Sequence, residues 1–305
     1  MRRRVLFVML IFGLPLLVSE SRAYEEIRVE KGGTLTGVVT LNGDIPRPKG
    51  YNLVTFPDAV YCGRISDGFG WRLLQPFNVG PENGFKDVVV LIKEIKKGKP
   101  FQYTPQRIEA VDCKFNPYIT IVRDKHNVEI VNMDPVMHDI QAYETSHLGA
   151  RVLFNRPLPV SDRVQRRKKD LLAGKHVKNR AGRILTQKIK MSKGRDIFVM
   201  QCGFHAYMES WGLAVKNPYY ALSGTDGRYT ISEIPPGTYK VMAWHPMITK
   251  EFEVTIGENQ TSELNIEIDA PKGRLYANEA LDGTRFGMEL LGGSKIVPIV
   301  EHQKR

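Results

Sequence analysis

Cysteine is scarce: three occur in 305 residues, Cys62, Cys113 and Cys202, an odd number that leaves one over if two pair. No Cys-x-x-Cys-His run is present, which excludes covalently attached c-type haem. Beyond residue 23 no apolar run approaches transmembrane length, so the mature chain is expected to carry no membrane span. The apolar stretch that does exist, Val5 to Val18, follows the basic Arg2 to Arg4 and precedes the small-x-small signal Ser21-Arg22-Ala23. Residues 1–23 therefore read as a secretory signal peptide using the general secretory route, since the surroundings of Arg3-Arg4 fit twin-arginine export poorly. No cysteine follows the cleavage point, which argues against a lipid anchor, and a periplasmic or secreted location is expected.

The excess of positive charge is concentrated in one place. Residues 156–195 and the adjoining Asp196 hold 14 Lys or Arg against three Asp, the whole of the chain's formal excess of +11. That segment contains no aromatic residue on which bases could stack, so nucleic acid is not an expected partner. A docking surface for an acidic partner, such as a c-type cytochrome, an anionic membrane or a polysaccharide, fits the composition, as does a merely solubilising insert.

The remainder is punctuated by Gly and Pro and patterned for strands. Gly37 to Leu41 runs into Asn42-Gly43, a hairpin signal, and Val88 to Ile92 is a continuous apolar run expected to be buried on both faces. Residues 50–86 show no period. Tyr118 to Val122 and Val128 to Asn132 read as strands paired around Asp124-Lys125. Glu251 to Ile256 and Glu263 to Ile268 alternate strictly, so each should have one wet and one dry face.

Chemistry concentrates in Gln201-Cys202-Gly203-Phe204-His205-Ala206-Tyr207-Met208. A thiolate, an imidazole and a thioether in one short loop are donors that Cu(I) and Cu(II) can share, and a trigonal copper site needs a second histidine from elsewhere. His138 is the candidate, where Val128, Ile130 and Val131 lead to the turn-forming Asp134-Pro135. His147 is an alternative ligand, although its Ser-His-Leu-Gly context reads as loop. His126, His176 and His302 lie among charges and read as solvated.

Asn132 six residues before His138, with Cys-x-x-His-x-x-Met downstream, resembles the cupredoxin pattern, the short ligand loop being most similar to that of amicyanin. The resemblance implies one type 1 copper held by His138, Cys202 and His205 with Met208 long and axial. Asn132 would pin the loop of the first histidine, and Asp139 and His245 are further candidates for the surroundings of the metal. Two neighbours depart from the family: Asp139 stands where Asn is usual after the first histidine, and Gly203 where Ser, Thr or Asp follows the cysteine. Phe204 and Tyr207 are expected to pack so as to exclude water. With Cys202 assigned to the metal, Cys62 and Cys113 remain to pair in an oxidising compartment, closing a loop worth roughly 4 kcal/mol, or else are two free buried thiols.

Further on, Asp226-Gly227-Arg228-Tyr229 through Pro236-Gly237-Thr238-Tyr239-Lys240-Val241 resembles the carboxypeptidase regulatory-like (transthyretin-like) β-sandwich. The expected architecture is all-β: a cupredoxin-like Greek-key sandwich over 24–216 with a basic insertion at about 157–193, a small transthyretin-like sandwich over 217–270, and a tail over 271–305. The first strands are expected to close the sandwich that holds the metal. His245, in Ala243-Trp244-His245-Pro246, would sit at the domain contact or near the metal. No general base or second metal cluster is visible, so the function expected is one-electron transfer and not catalysis. Copper storage or delivery, and a carbohydrate-associated or structural module, are the alternatives.

Overall fold

A computed structural model of the chain describes residues 24–145, 149–160 and 182–279, with the backbone of two short strands, Glu289–Leu290 and Ser294–Lys295. The expected signal peptide, His147, His176, His302, the middle of the basic segment and most of the tail lie outside the described residues. What is described is all-β apart from one four-residue α-helix, Ala59–Cys62, and three short 3-10 turns.

Period-two patterning builds two sandwiches. In the first, a sheet ordered Leu185–Lys188, Asn127–Asn132, Arg107–Val111, Lys114–Asn116 faces another ordered Arg151–Leu158, His138–Glu144, Ile197–Gln201, Glu209–Val215, Ile119–Arg123. Alternate residues of the two sheets, Ile108, Ala110, Val128 and Ile130 against Ile140, Ala142, Phe198 and Met200, share one buried cluster. Removing such side chains from water contributes roughly 1.5–3 kcal/mol for each large one.

In the second sandwich, one sheet runs Tyr220–Leu222, Val89–Ile92, Gly237–His245, Ile248–Ile256. The other is centred on Gly33–Asn42, flanked by Arg228–Ile234 on one side and by Thr261–Glu263 and Ile266–Asp269 on the other. This corrects the expectation that the first strands close the metal-holding sandwich. Gly33–Asn42 and Val89–Ile92 are instead central strands among the C-terminal ones, so residues 217–270 do not make their sheets alone. Alternation fixes which face of a strand is dry and says nothing about which strand lies beside it.

The continuous run Val89–Ile92 is buried throughout for a definite reason. Val90 and Ile92 enter the core of the second sandwich, whereas Val89 and Leu91 join Ile119, Ile121, Leu213, Val215 and Trp244 in a cluster between the two sandwiches. Asn42-Gly43 makes no hairpin: the next strand, Lys49–Asn52, pairs with Trp71–Leu74. Likewise the turn at Asp124-Lys125 does not pair its flanking strands, because it carries the chain from one sheet to the other. The basic insertion is also narrower than expected, since Leu185–Lys188 is an edge strand and Ile189 and Met191 reach the core of the first sandwich.

Candidate metal centre

His138 opens the strand His138–Glu144, and Cys202 directly follows the neighbouring strand Ile197–Gln201. Asn132 shapes the approach to His138. Its Nδ2 donates to the carbonyls of Val136 and Leu158 at 2.8 and 2.9 Å, and its Oδ1 accepts from the Asp134 amide at 2.9 Å. The second loop is closed by its own backbone, the Cys202 amide donating to the Met208 carbonyl at 3.1 Å and the Met208 amide to the His205 carbonyl at 2.8 Å. The two departures from the cupredoxin pattern meet: the Asp139 carboxylate accepts from the Gly203 amide. A Cβ at 203 would meet the ends of the Gln141 and Asp139 side chains, which would have to give way.

These loops converge on one point. His138 Nδ1 and His205 Nδ1 are 3.2 Å apart, and Cys202 Sγ lies 3.6 Å from the latter and 4.0 Å from the former. Both histidines are fully buried and Cys202 is nearly so. Met208, also buried, belongs to the same cluster as Cys202.

The far nitrogens decide the tautomers. His205 Nε2 donates to the carbonyl of Pro57 at 3.1 Å, an oxygen that can only accept. His138 Nε2 is 2.9 Å from Asp134 Oδ2. Three other donors, the amides of Asp112 and Cys113 and the Tyr61 hydroxyl, are already aimed at that carboxylate, which offers the ring only an acceptor. Each ring therefore has its Nε2 proton engaged and turns Nδ1 toward the other ring and toward sulfur. Burial and the neighbouring His138 hold the His205 pKa below its ordinary value, keeping it neutral, and burial pushes the Cys202 thiol up to about 11.

A short cap closes the site. Asn52 starts a 3-10 turn, Leu53–Thr55, and the helix Ala59–Cys62 follows. The cap supplies the Pro57 carbonyl, packs Phe56 edge-on against Tyr207 with ring centres 5.1 Å apart, and brings Cys62 Sγ to 3.8 Å from His205 Nε2. Cys62 is bonded to Cys113, which ties the cap to the sheet below. Tyr207 is buried beside the site, but Phe204 is 41 % exposed and does not shield it, contrary to expectation; Met137, next to His138, is exposed as well. Both lie on the outer surface of their loops.

No family model matches this chain, and no curated protein matches it in sequence. Solved structures do. A purple cupredoxin from Nitrosopumilus maritimus is similar at 15% identity over 36% of this chain and 99% of its own, with a TM-score of 0.25. A reduced Cu(I) amicyanin mutant is similar at 11% identity over 41% of this chain and 98% of its own, TM-score 0.25. A copper-containing nitrite reductase from Thermus scotoductus matches at 16% identity over 39% of this chain and 24% of its own, TM-score 0.25. At such low similarity no activity transfers.

His245 stands apart from His138, Cys202 and His205. It is buried in the second sandwich, where its Nε2 meets the Pro76 carbonyl at 3.1 Å and its ring lies between Phe77 and Phe85, with centres at 5.1 and 4.9 Å. Burial lowers its pKa to about 4, so it is a neutral packing residue, which corrects its candidacy near the metal. Sequence reasoning missed Asp134, Pro57 and Tyr61. Asp134 registered only as part of a turn, and the cap lay in a stretch without period.

Proposed function

We propose that the chain is an exported type 1 copper protein that carries single electrons, in which His138, Cys202, His205 and Met208 would hold the ion. One observation carries the reading. Two imidazole lone pairs face each other across 3.2 Å beside a thiol, all out of water, while each ring's other nitrogen is already engaged. Two lone pairs held that way repel one another unless a proton or a metal ion is shared between them. Sulfur with two imidazoles suits copper, and a bound copper would supply the Cu(II)/Cu(I) couple.

The residues themselves do the rest. Cys202 gives up its thiol proton to become a ligand, the Nε2 hydrogen bonds fix both rings, and the cap excludes water. A site so enclosed, under a cap fastened by a disulfide, favours electron passage over release of the ion. Four donors leave no position for a substrate, which favours a carrier over an enzyme. The partner is read as a redox protein with an acidic face, such as a c-type cytochrome, meeting the basic segment 156–195, where Arg183, Lys188, Lys190 and Lys193 are exposed. The copper-loaded, oxidised protein should absorb intensely in the red through thiolate-to-copper charge transfer, and Cys202→Ser should abolish the band. A colourless protein after loading and oxidation would end the proposal.

A further inference from the structure

Period two places Asp139, Gln141 and Tyr143 together on the outer face of the strand His138–Glu144, opposite the core residues Ile140 and Ala142. Their polar ends are linked in a row. The Tyr143 hydroxyl donates to Gln141 Oε1 at 2.5 Å, Gln141 Nε2 donates to Asp139 Oδ2 at 2.7 Å, and Asp139 Oδ1 accepts from the Gly203 amide at 2.5 Å. The row therefore ends on the residue that follows Cys202.

Asp139 is the charged member of this row. Each of its oxygens accepts from an N–H group, an arrangement that a carboxylate completes without a proton of its own. Its neighbour across the strand pair is Pro157, and none of the ion pairs among the described residues involves it. Burial acts most strongly on the Cys202 thiol, and Asp139 comes next: its amide favours the thiolate and its carboxylate opposes it, while the amides of Phe204 and His205 favour it in turn. Sulfur is thus offered a fixed dipole and a fixed negative charge by one residue, and a neutral side chain of the same shape would keep only the first.

Resting on the copper reading above, we propose that the Asp139 carboxylate holds the reduction potential of the site down by favouring its oxidised over its reduced state. A thiolate with Cu(II) carries one net positive charge and with Cu(I) none, so a negative charge beside sulfur favours the former. The carboxylate is half-buried, and water screens part of its charge. A bias of about tenfold is the expected size, equivalent to about 59 mV for one electron.

The test is Asp139→Asn, because its hydrogen bonds can be remade. The asparagine oxygen keeps the Gly203 amide, and Gln141 turns its amide over, so that its oxygen accepts from the new NH₂ and its nitrogen donates to the Tyr143 hydroxyl oxygen. Only the charge is lost. The metal-free variant should unfold at the same denaturant midpoint as the wild type, and the copper-loaded variant should keep the thiolate-to-copper band. Its Cu(II) affinity should fall about tenfold with Cu(I) affinity unchanged, and its potential should rise by the equivalent of about 59 mV. Gln141→Met breaks the row and leaves the charge, and should move the potential much less. A band that persists in Asp139→Asn with an unchanged or lower potential would overturn the proposal, as would an equal rise in Gln141→Met, which would place the effect in the geometry of the loop. A wild type without the band would instead end the copper reading, and this inference with it.

Discussion

Replacing Asp134 with Asn tests the arrangement at its most connected point. The carboxylate is buried and accepts four hydrogen bonds: Oδ1 from the Asp112 amide at 2.7 Å and the Tyr61 hydroxyl at 3.0 Å, Oδ2 from the Cys113 amide at 2.8 Å and His138 Nε2 at 2.9 Å. An amide keeps one oxygen, so whichever way it turns, two of the four donors meet an NH₂ group. At roughly 1.5–3 kcal/mol for each hydrogen bond to a charged group, the loss is about 3–6 kcal/mol. Removing a buried charge returns part of this, leaving a net destabilisation of about 3 kcal/mol. Metal affinity responds separately. If the NH₂ faces His138, the ring is driven to carry its proton on Nδ1, and the lone pair needed for the ion is gone. If the oxygen faces His138, the NH₂ meets the Asp112 amide, and the Tyr61 hydroxyl must turn to accept from it. Removing such an outer partner typically costs 10–100-fold in affinity. Denaturant unfolding of the metal-free variant measures the first effect, and competition for copper with a chelator measures the second. Unchanged stability within about 0.5 kcal/mol together with unchanged affinity would refute the role assigned to Asp134, because four satisfied bonds cannot be removed from a buried site so cheaply.

Replacing Cys62 and Cys113 together by Ala should lower stability by about 4 kcal/mol on the chain-entropy argument and speed copper loss to a chelator, because the cap over His205 is then untied; an unchanged release rate would mean the cap holds without the bond. Gly212→Ala should be among the most damaging single changes, since a Cβ there would lie 2.0 Å from the buried Phe198 ring on the paired strand that delivers Cys202; thermal unfolding should show a loss of about 1–3 kcal/mol or more. Acid should also weaken the first sandwich through Glu144. This buried carboxylate accepts from Arg151 at 2.7 and 2.9 Å and from the Ser192 amide at 2.8 Å, and these partners hold its pKa near 2, down from 4.5. A pKa depressed on folding gives stability that is fully present above about 4.5 and disappears as pH falls toward about 2. Glu144→Gln should therefore be less stable than the wild type at neutral pH, with a flatter dependence between those limits; parallel acid-unfolding curves would contradict this.

The all-β class was legible because alternation and turn residues are local signals. Cys202, His205 and Met208 drew attention for the same reason, lying within one loop behind a strand. What surrounds them was not legible. Asp134 works through donors from residues 61, 112, 113 and 138, and only the last is near it in sequence. The cap reads as aperiodic because it is made of single turns held by Asn52, by the Pro57 carbonyl and by the disulfide, none of which has a period to detect. Strand partners were misjudged where pairing spans most of the chain, as between Gly33–Asn42 and Ile266–Asp269. Such parallel pairs leave no turn between them for a sequence to show.

The same long-range construction explains why the donors can be in place before any ion arrives. Two imidazoles do not by themselves hold their Nδ1 atoms 3.2 Å apart; they are made to do so because their Nε2 protons have acceptors behind them. One of those acceptors belongs to the loop that leads into His138 and the other to a cap some 80 residues earlier, which the disulfide holds down. Loosening either side should let a ring turn and relieve the repulsion in the metal-free protein, so that part of the affinity is lost to reorganisation on binding. The arrangement thus places the cost of ordering these side chains on folding; with copper bound as proposed, a change of oxidation state would not have to bear it.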